Sequence, residues 1–124
     1  MARTTRRPPT TNRRSQLGAL GEDLVAHWYE RSGFTILDRN WRVRTGEIDL
    51  VAAQGRLVAF CEVKTRSSAA FGTGLDAVTP TKQRRLRMLG VAWLAAHPDV
   101  RPQSVRFDVA SLTGDEIVMV IDAF

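Results

Sequence analysis

The sequence predicts a single α/β domain with one sheet, in the element order α-β-β-β-α-β-β. The chain has 124 residues, a length that suits one compact domain. Hydrophobic residues make up 44% and charged residues 25%, so most of the chain should fold around a core. Two segments with helical spacing of apolar residues are interspersed with short apolar runs typical of strands. The length excludes a two-half dinucleotide-binding fold and a TIM barrel.

The first predicted helix starts at Ser15, a suitable N-cap, and runs to about Ser32. Gly33 followed by Phe34 is typical of a left-handed helix end with a hydrophobic contact behind it. Apolar residues at helical spacing indicate the face that packs on the core. That predicted face comprises Leu17, Leu20, Leu24 and Trp28.

Three strands are predicted next. Residues 35–44 form the first, with an interruption near Asn40. Residues 47–53 and 57–64 are two apolar runs separated by a turn at Gln54-Gly55. This pattern predicts a hairpin of two largely buried strands.

The rest of the chain supplies a helix and two more strands. Residues 66–76 are rich in Ser and Gly and predict a mobile loop. Pro80 at a first helical position predicts a second helix to about Ala96. Residues 105–112 and 117–121 predict the last two strands. The predicted core face of the second helix comprises Leu86, Leu89 and Trp93.

The net charge of +5 originates in the first 14 residues, which hold five arginines and no acid. The remaining residues hold 13 basic and 13 acidic side chains, so the folded part is not a general polycation. With Pro8, Pro9 and almost nothing to bury, residues 1–14 are predicted to be a disordered basic arm. Such an arm either holds phosphates by releasing counterions or serves only as a solubilising tail.

The sequence gives no sign of a membrane or a secreted protein. No apolar run approaches the roughly 20 residues that cross a bilayer, and the N-terminus lacks the apolar stretch of a secretory signal. The single cysteine, Cys61, excludes an internal disulfide and a cysteine-rich zinc site. We therefore expect a protein of the reducing cytoplasm.

Four charged residues interrupt the two strands of the predicted hairpin: Glu47, Asp49, Glu62 and Lys64. Strand side chains alternate between faces, so the two acids of the first strand share a face, as do Glu62 and Lys64. A two-residue turn pairs Glu47 with Glu62, whereas a four-residue turn pairs Asp49 with Glu62. Either register brings all four to one face, whereas a three-residue turn without a bulge would separate them.

Opposed carboxylates with β-carbons about 5 Å apart repel unless a cation lies between them. Oxygen ligands of this type suit Mg²⁺ or Mn²⁺, and Mg²⁺ commonly takes one or two carboxylates together with waters and substrate phosphate. The alternative is an ordinary cross-strand ion pair between Glu62 and Lys64. The apolar surroundings favour the functional interpretation, because unpaired charges buried there are costly.

Basic residues near the hairpin and at the start of the second helix are candidates for phosphate contacts. Of the 18 basic residues only Lys64 and Lys82 are lysines, and a lysine, unlike an arginine, can lose its proton. A solvated helix face is the alternative interpretation for the helix. The candidates are Lys82, Arg84, Arg85 and Arg87 on the helix, and Arg42, Arg44 and Arg66 beside the hairpin.

Three motifs together resemble the YraN-like family, a group similar to the archaeal Holliday junction resolvases within the PD-(D/E)xK nuclease superfamily. The resemblance covers about residues 15–124. One departure is that Ile48-Asp49 stands where a Pro-Asp pair gives the superfamily its name. The motifs are Gly21-Glu22, the run Gly46-Glu47-Ile48-Asp49-Leu50-Val51-Ala52, and Glu62-Val63-Lys64-Thr65-Arg66.

The resemblance implies a restriction-endonuclease-like core, in which a mixed β-sheet is flanked by helices. It implies that Asp49 and Glu62 are metal ligands and that Lys64 orients or deprotonates the attacking water. Glu22 would be a helix-borne acid that contacts the metal through water, although it also fits a solvated surface acid. Glu47 stays open as a further ligand, a partner of Lys64 or a charge at the rim.

The residues and the resemblance together predict a nuclease that uses Mg²⁺ or Mn²⁺ to hydrolyse DNA, and the resemblance points to branched or otherwise structured DNA. Resolution of a four-way junction would require two active sites and hence a homodimer. One alternative is a nucleic-acid-binding or adaptor protein of DNA repair or recombination that lacks catalysis. Another is a protein-interaction module whose acidic pocket receives a basic side chain of its partner.

Overall fold

A computed structural model describes residues 13–66 and 78–124 of the chain. Within those residues it confirms the predicted order of helices and strands. The predicted arm, residues 1–14, lies outside the described residues except for its last two, which belong to the first helix. The predicted loop, residues 66–76, also lies outside them apart from Arg66. The elements are α1 (Arg13–Arg31), β1 (Thr35–Val43), β2 (Gly46–Gln54), β3 (Leu57–Arg66), α2 (Pro80–Ala96), β4 (Ser104–Thr113) and β5 (Glu116–Val120).

The strands form one mixed sheet in the order β1-β2-β3-β4-β5. Neighbouring strands are antiparallel except β3 and β4, which run parallel. A parallel pair needs a crossover connection, and α2 lies in the chain between these two strands. The two helices belong to separate clusters of buried residues, so α1 covers one face of the sheet and α2 the other.

The helix α1 packs on the sheet through Gly21, Val25 and Tyr29, which recur every four residues. A β-carbon at Gly21 would lie 2.8 Å from Thr65 Oγ1, so the missing side chain allows the helix to approach β3 closely. Val25 and Tyr29 are fully buried. The residues of the sheet that pack on this side are Leu50, Ala52, Ala59, Cys61, Ala110 and Leu112.

This arrangement corrects the core face predicted for the first helix. Leu20 is 59% exposed and Leu24 is 39% exposed, so neither belongs to the core. Trp28 packs against the core as predicted, and the side chain of Leu17 lies outside the described residues. Both faces have helical spacing, and the close approach at Gly21 decides which one meets the sheet.

The helix α2 begins at Pro80, as predicted, and packs on the opposite side of the sheet. Thr79 caps it, because its hydroxyl accepts a hydrogen bond from the N–H of Lys82 at 3.2 Å. Neither helix of the described residues has the length and hydropathy of a membrane span. The predicted core face is confirmed and meets the apolar half of the hairpin: Leu86, Leu89 and Trp93 pack with Val51, Val58 and Phe60.

Candidate active site

The β2–β3 hairpin fixes the register of the predicted acids. The ladder begins beside a two-residue turn at 55–56, one residue later than predicted, and ends at the pair Leu50 and Cys61. Continued by one residue, this register sets Asp49 opposite Glu62. That is the second of the two predicted pairings.

Asp49 lies where β2 and β3 separate. Its side chain is buried, and Oδ2 accepts a hydrogen bond of 2.8 Å from the N–H of Val63, which lies beyond the last β2–β3 pair. The carboxylate therefore takes the place of a backbone acceptor. Strict alternation does not hold here, because Ile48 packs on the α2 side and Leu50 on the α1 side. The orientation of the Asp49 side chain is therefore fixed by this hydrogen bond. It does not depend on whether the turn has an even or an odd number of residues.

Glu62 is held by both lysines of the chain. Its side chain is 11% exposed, and Oε2 lies 3.1 Å from Lys64 Nζ and 2.8 Å from Lys82 Nζ. Lys64 follows on the same strand, whereas Lys82 comes from the first turn of α2. Both ammonium groups contact the same oxygen, Oε2.

The acid–lysine cluster consists of four acids and two lysines: Glu22, Glu47, Asp49, Glu62, Lys64 and Lys82. Its acids repel one another. Burial and, second, the charge of Glu62 raise the pKa of Asp49 from 3.8 to about 7, against the backbone hydrogen bond, which lowers it. The charges of Glu22 and Glu47 add to this rise. Partial burial lowers the pKa of Lys82, but its pairing with Glu62 outweighs that effect, so this pKa is raised. At neutral pH Lys82 is therefore a cation and Asp49 is close to its midpoint.

Glu22 reaches the same region from α1. Its side chain is 15% exposed, and Oε1 accepts a hydrogen bond of 2.8 Å from Asn40 Nδ2 and lies 3.9 Å from Arg39 Nη2. The structure thus shows a partly buried, positioned acid that is close enough to raise the pKa of Asp49. Asn40 was not among the predicted site residues. The structure runs β1 through this residue without the interruption that the sequence predicted there, and Asn40 differs from its neighbours only in its left-handed φ of 53°.

Glu47 lies at the rim of the cluster. Its side chain is 46% exposed, and Oε1 pairs with Arg42 Nε at 3.0 Å across the β1–β2 ladder. Arg42 is more exposed still, so it faces solvent beside the site. Of the three interpretations left open for Glu47, the structure favours the rim charge.

The predicted phosphate-binding arginines lie in different surroundings. Arg85 is exposed and lies against Gly46 at the start of β2, and Arg44 is exposed in the adjoining β1–β2 turn. Arg87 instead lies over two phenylalanine rings, 5.5 and 5.3 Å from their centroids. Arg66 ends β3, and its side chain lies outside the described residues.

A second buried network was missed from the sequence. Tyr29 donates a hydrogen bond of 2.6 Å to Asp108 Oδ2, and Arg106 Nε lies 3.0 Å from Oδ1 of the same carboxylate. The N–H of Asp122 also donates to Oδ1, so the network ties α1 and β4 to the end of the chain. Burial raises the pKa of the Tyr29 hydroxyl, which keeps it a donor. The signal was an acid within an apolar strand, the same signal that identified Asp49.

The donor set of the cluster fits a hard divalent cation, since Asp49 and Glu62 supply carboxylate oxygens. Among the described residues, no three Asp, Glu, His or Cys side chains lie close enough to hold a metal by themselves. A cation here would therefore be bound by these two carboxylates, with water and phosphate oxygens as its other ligands. Mg²⁺ is commonly bound in this way.

The fold and the cluster define a small α/β protein. Its acid–lysine site lies where the strands β2 and β3 of the hairpin separate. The chain belongs to the uncharacterised protein family UPF0102, whose family model matches residues 21–112. The match includes every charged residue of the cluster. It confirms the family predicted from the three motifs, whereas the relation to the nuclease superfamily stays a prediction.

Three relatives show how far the similarity extends. A UPF0102 protein of Kineococcus radiotolerans is 52% identical over 100 residues, which cover 81% of this chain and 82% of the relative. UPF0102 protein Franean1_1156 of Parafrankia sp. is 53% identical over 97 residues, covering 78% and 81%. A UPF0102 protein of Acidothermus cellulolyticus is 46% identical over 112 residues, covering 83% and 85%. The similarity therefore spans most of the chain and is not confined to a short motif.

Proposed function

We propose that this protein is a metal-dependent nuclease that hydrolyses phosphodiester bonds in DNA. The observation that carries the proposal is the burial of Asp49 and Glu62 beside the two lysines of the chain. Burial and mutual repulsion hold the pKa of Asp49 near 7, and strongly shifted groups of this kind cluster at functional sites. A divalent cation between the carboxylates would relieve the repulsion.

The residues present suggest a division of roles. Asp49 and Glu62 would hold Mg²⁺ or Mn²⁺, which would polarise the phosphate and lower the pKa of a bound water. Lys64, next to Glu62, would orient the attacking water or take its proton. Glu22, held by Asn40, would add a negative charge that contacts the cation through water. In the overall reaction water adds to phosphorus and the bond to the leaving oxygen breaks.

Basic groups around the cluster support a nucleic acid as the substrate. Lys82 lies in the first turn of α2, where backbone N–H groups favour phosphate binding. Its ammonium group would exchange Glu62 for a phosphate oxygen. Arg42, Arg44 and Arg85 are exposed around the β1–β2 turn and would hold neighbouring phosphates. Arg66 at the end of β3 is a further candidate. Branched DNA is the substrate that the motif resemblance favours.

The test is a cleavage panel of single-stranded, duplex, flap and four-way DNA, and RNA, with Mg²⁺, Mn²⁺ or EDTA. We expect metal-dependent cleavage of DNA that Asp49→Asn and Lys64→Ala reduce by at least about 100-fold. The matched control is Asp115→Asn, because Asp115 is an exposed acid in the β4–β5 turn. Cleavage that survives both site substitutions would assign the activity to a contaminant or to another site.

DNA binding is tested separately with Lys82→Ala. We expect weaker binding to every DNA sequence and a salt dependence reduced by about one phosphate contact. Arg56→Ala is the control, since Arg56 is exposed in the β2–β3 turn at the other end of the hairpin. Equal losses in the two variants would show that Lys82 has no specific role.

One observation favours a second candidate, a nucleic-acid-binding or adaptor protein without catalysis. Both lysines already pair with Glu62, as a nucleic-acid-binding site without a metal ion would require. Specific binding to DNA without cleavage of any substrate, with either metal, would support this function over the nuclease.

A further inference from the structure

The ion pair between Lys82 and Glu62 joins α2 to β3. Lys82 Nζ lies 2.8 Å from Glu62 Oε2, and Lys64 Nζ lies 3.1 Å from the same oxygen. Lys64 makes its contact from two residues away on the same strand, whereas Lys82 comes from the first turn of a helix. Rotation of the Lys82 side chain would therefore remove one positive charge from Glu62 without any change in the sheet.

With both lysines in place, the charges around Glu62 cancel. Asp49 and Glu62 supply two negative charges when both are ionised, and the two lysines supply two positive charges. The remaining two acids of the acid–lysine cluster each have an arginine partner on β1. A divalent cation is attracted by a surplus of negative charge, and ammonium groups at short range repel it. The cluster as the structure shows it therefore opposes the binding of such a cation.

Lys82 has access to a second kind of partner. Its side chain is 30% exposed, so its ammonium group is within reach of a ligand that approaches from solvent. Arg85 lies one turn further along α2 and is exposed as well. Lysine and arginine side chains are common partners of DNA phosphates. Lys82 can thus leave Glu62 for a phosphate oxygen and stay paired with a negative charge.

We propose that the ion pair of Lys82 with Glu62 keeps a divalent cation out of the cluster until a DNA phosphate takes Lys82 from Glu62. This coupling rests on the proposed function, because the cluster must bind both a cation and DNA. Once Lys82 pairs with phosphate, the cluster carries a net negative charge, and Glu62 retains the contact with Lys64. Metal binding and DNA binding then strengthen each other, by the same factor in both directions.

A cation in the cluster would be coupled to DNA in a second way. Mg²⁺ commonly takes substrate phosphate as a ligand, so DNA and metal assist each other even without Lys82. The contribution of Lys82 is therefore the part of the coupling that is lost when Lys82 is replaced. Lys64 provides the comparison, since it contacts the same oxygen of Glu62 from within β3.

The first test is the binding of Mn²⁺ to the free protein at pH 8, measured by electron paramagnetic resonance, which detects unbound Mn²⁺. Lys82→Met keeps the length of the side chain and removes its charge, so it should lower the dissociation constant for Mn²⁺ at least about fivefold. Lys82→Arg keeps the charge and should leave this constant close to its wild-type value. Arg56→Met is the matched control, since it removes a positive charge from the β2–β3 turn. Circular dichroism confirms that the variants are folded.

The second test is the affinity for DNA with and without Mn²⁺, measured by fluorescence anisotropy. The probe is the DNA of the cleavage panel that the protein binds most tightly, made with phosphorothioate linkages that slow hydrolysis. Mn²⁺ should strengthen DNA binding in the wild type at least about fivefold more than in Lys82→Met. Lys64→Met should keep the wild-type coupling, because Lys82 still exchanges its partner in that variant.

The two binding measurements need no cleavage, so they separate the role of Lys82 from the nuclease activity. An Mn²⁺ affinity that Lys82→Met leaves unchanged, or that Arg56→Met raises equally, overturns the role of Lys82 even where DNA is cleaved. Equal coupling in the wild type and in Lys82→Met overturns it as well, as does a protein that binds none of the DNAs. The expected coupling without cleavage of any substrate supports the role of Lys82 and overturns the nuclease alone.

Discussion

Replacing Asp49 with asparagine should stabilise the protein at pH 8 and much less at pH 5. The folded state holds the pKa of Asp49 at about 7, above the 3.8 of the unfolded chain. Between these two values the folded state binds a proton that the unfolded state has lost, so the free energy of unfolding falls as the pH rises. The loss is complete once the pH exceeds about 7. Asparagine does not titrate, and its side-chain oxygen still accepts the hydrogen bond from Val63.

The magnitude follows from the width of that pH window. From pH 5 to a pKa of about 7, at roughly 1.4 kcal/mol per pH unit, the wild-type protein loses on the order of 3 kcal/mol through this one group. The difference in unfolding free energy between Asp49→Asn and the wild type should therefore grow by that amount between pH 5 and pH 8. Most globular domains have a total stability of about 5 to 15 kcal/mol, so the effect is readily measured.

The assay is urea unfolding followed by tryptophan fluorescence, in EDTA, at half-unit steps from pH 5 to pH 8. Trp93 is buried and reports on the core. Asp115→Asn provides the baseline, since it removes one acid at an exposed position in the β4–β5 turn. A difference between Asp49→Asn and the wild type that stays constant with pH would refute the reasoning.

Two further substitutions test the packing on each side of the sheet. Gly90→Val should lower the free energy of unfolding by about 1 to 3 kcal/mol, because even a β-carbon at Gly90 would lie 3.1 Å from Phe107 and 3.2 Å from Phe60. Ala92→Val on the exposed face is its control in the same urea titration, and equal losses would contradict the argument. Tyr29→Phe should cost about 1 to 3 kcal/mol, because it removes the 2.6 Å hydrogen bond to a buried carboxylate, and an unchanged midpoint would contradict it.

The order of elements was predictable because each has a local cause. Pro80 starts α2, and turns that contain Gly55 and Gly114 end β2 and β4. Both signals depend only on neighbouring residues. The face of α1 was not predictable in this way. Leu20 and Leu24 are as well spaced as Val25 and Tyr29, and the choice depends on how closely α1 approaches β3, a contact between residues far apart in sequence.

The same distinction applies to the acid–lysine cluster. Glu62 and Lys64 were found because two charges in an apolar strand are a local signal. The ion pair between Lys82 and Glu62 depends on where α2 crosses the sheet. The hydrogen bond from Asn40 to Glu22 depends on the irregular backbone of β1. Neither contact leaves a pattern within a single segment of the chain.

Glu62 is the group that couples the cluster, because its charge raises the pKa of Asp49 by repulsion and that of Lys82 by attraction. Glu62→Gln removes the charge and keeps the size of the side chain. We expect the pH midpoint of the stability difference produced by Asp49→Asn, measured in the Glu62→Gln background, to fall below its wild-type position. Glu47→Gln is the matched control, since Glu47 contributes least of the acids that raise this pKa and is half exposed. If Glu47→Gln moves the midpoint as far as Glu62→Gln does, the acids contribute equally to the pKa of Asp49. Glu62 would then not be the group that couples the cluster.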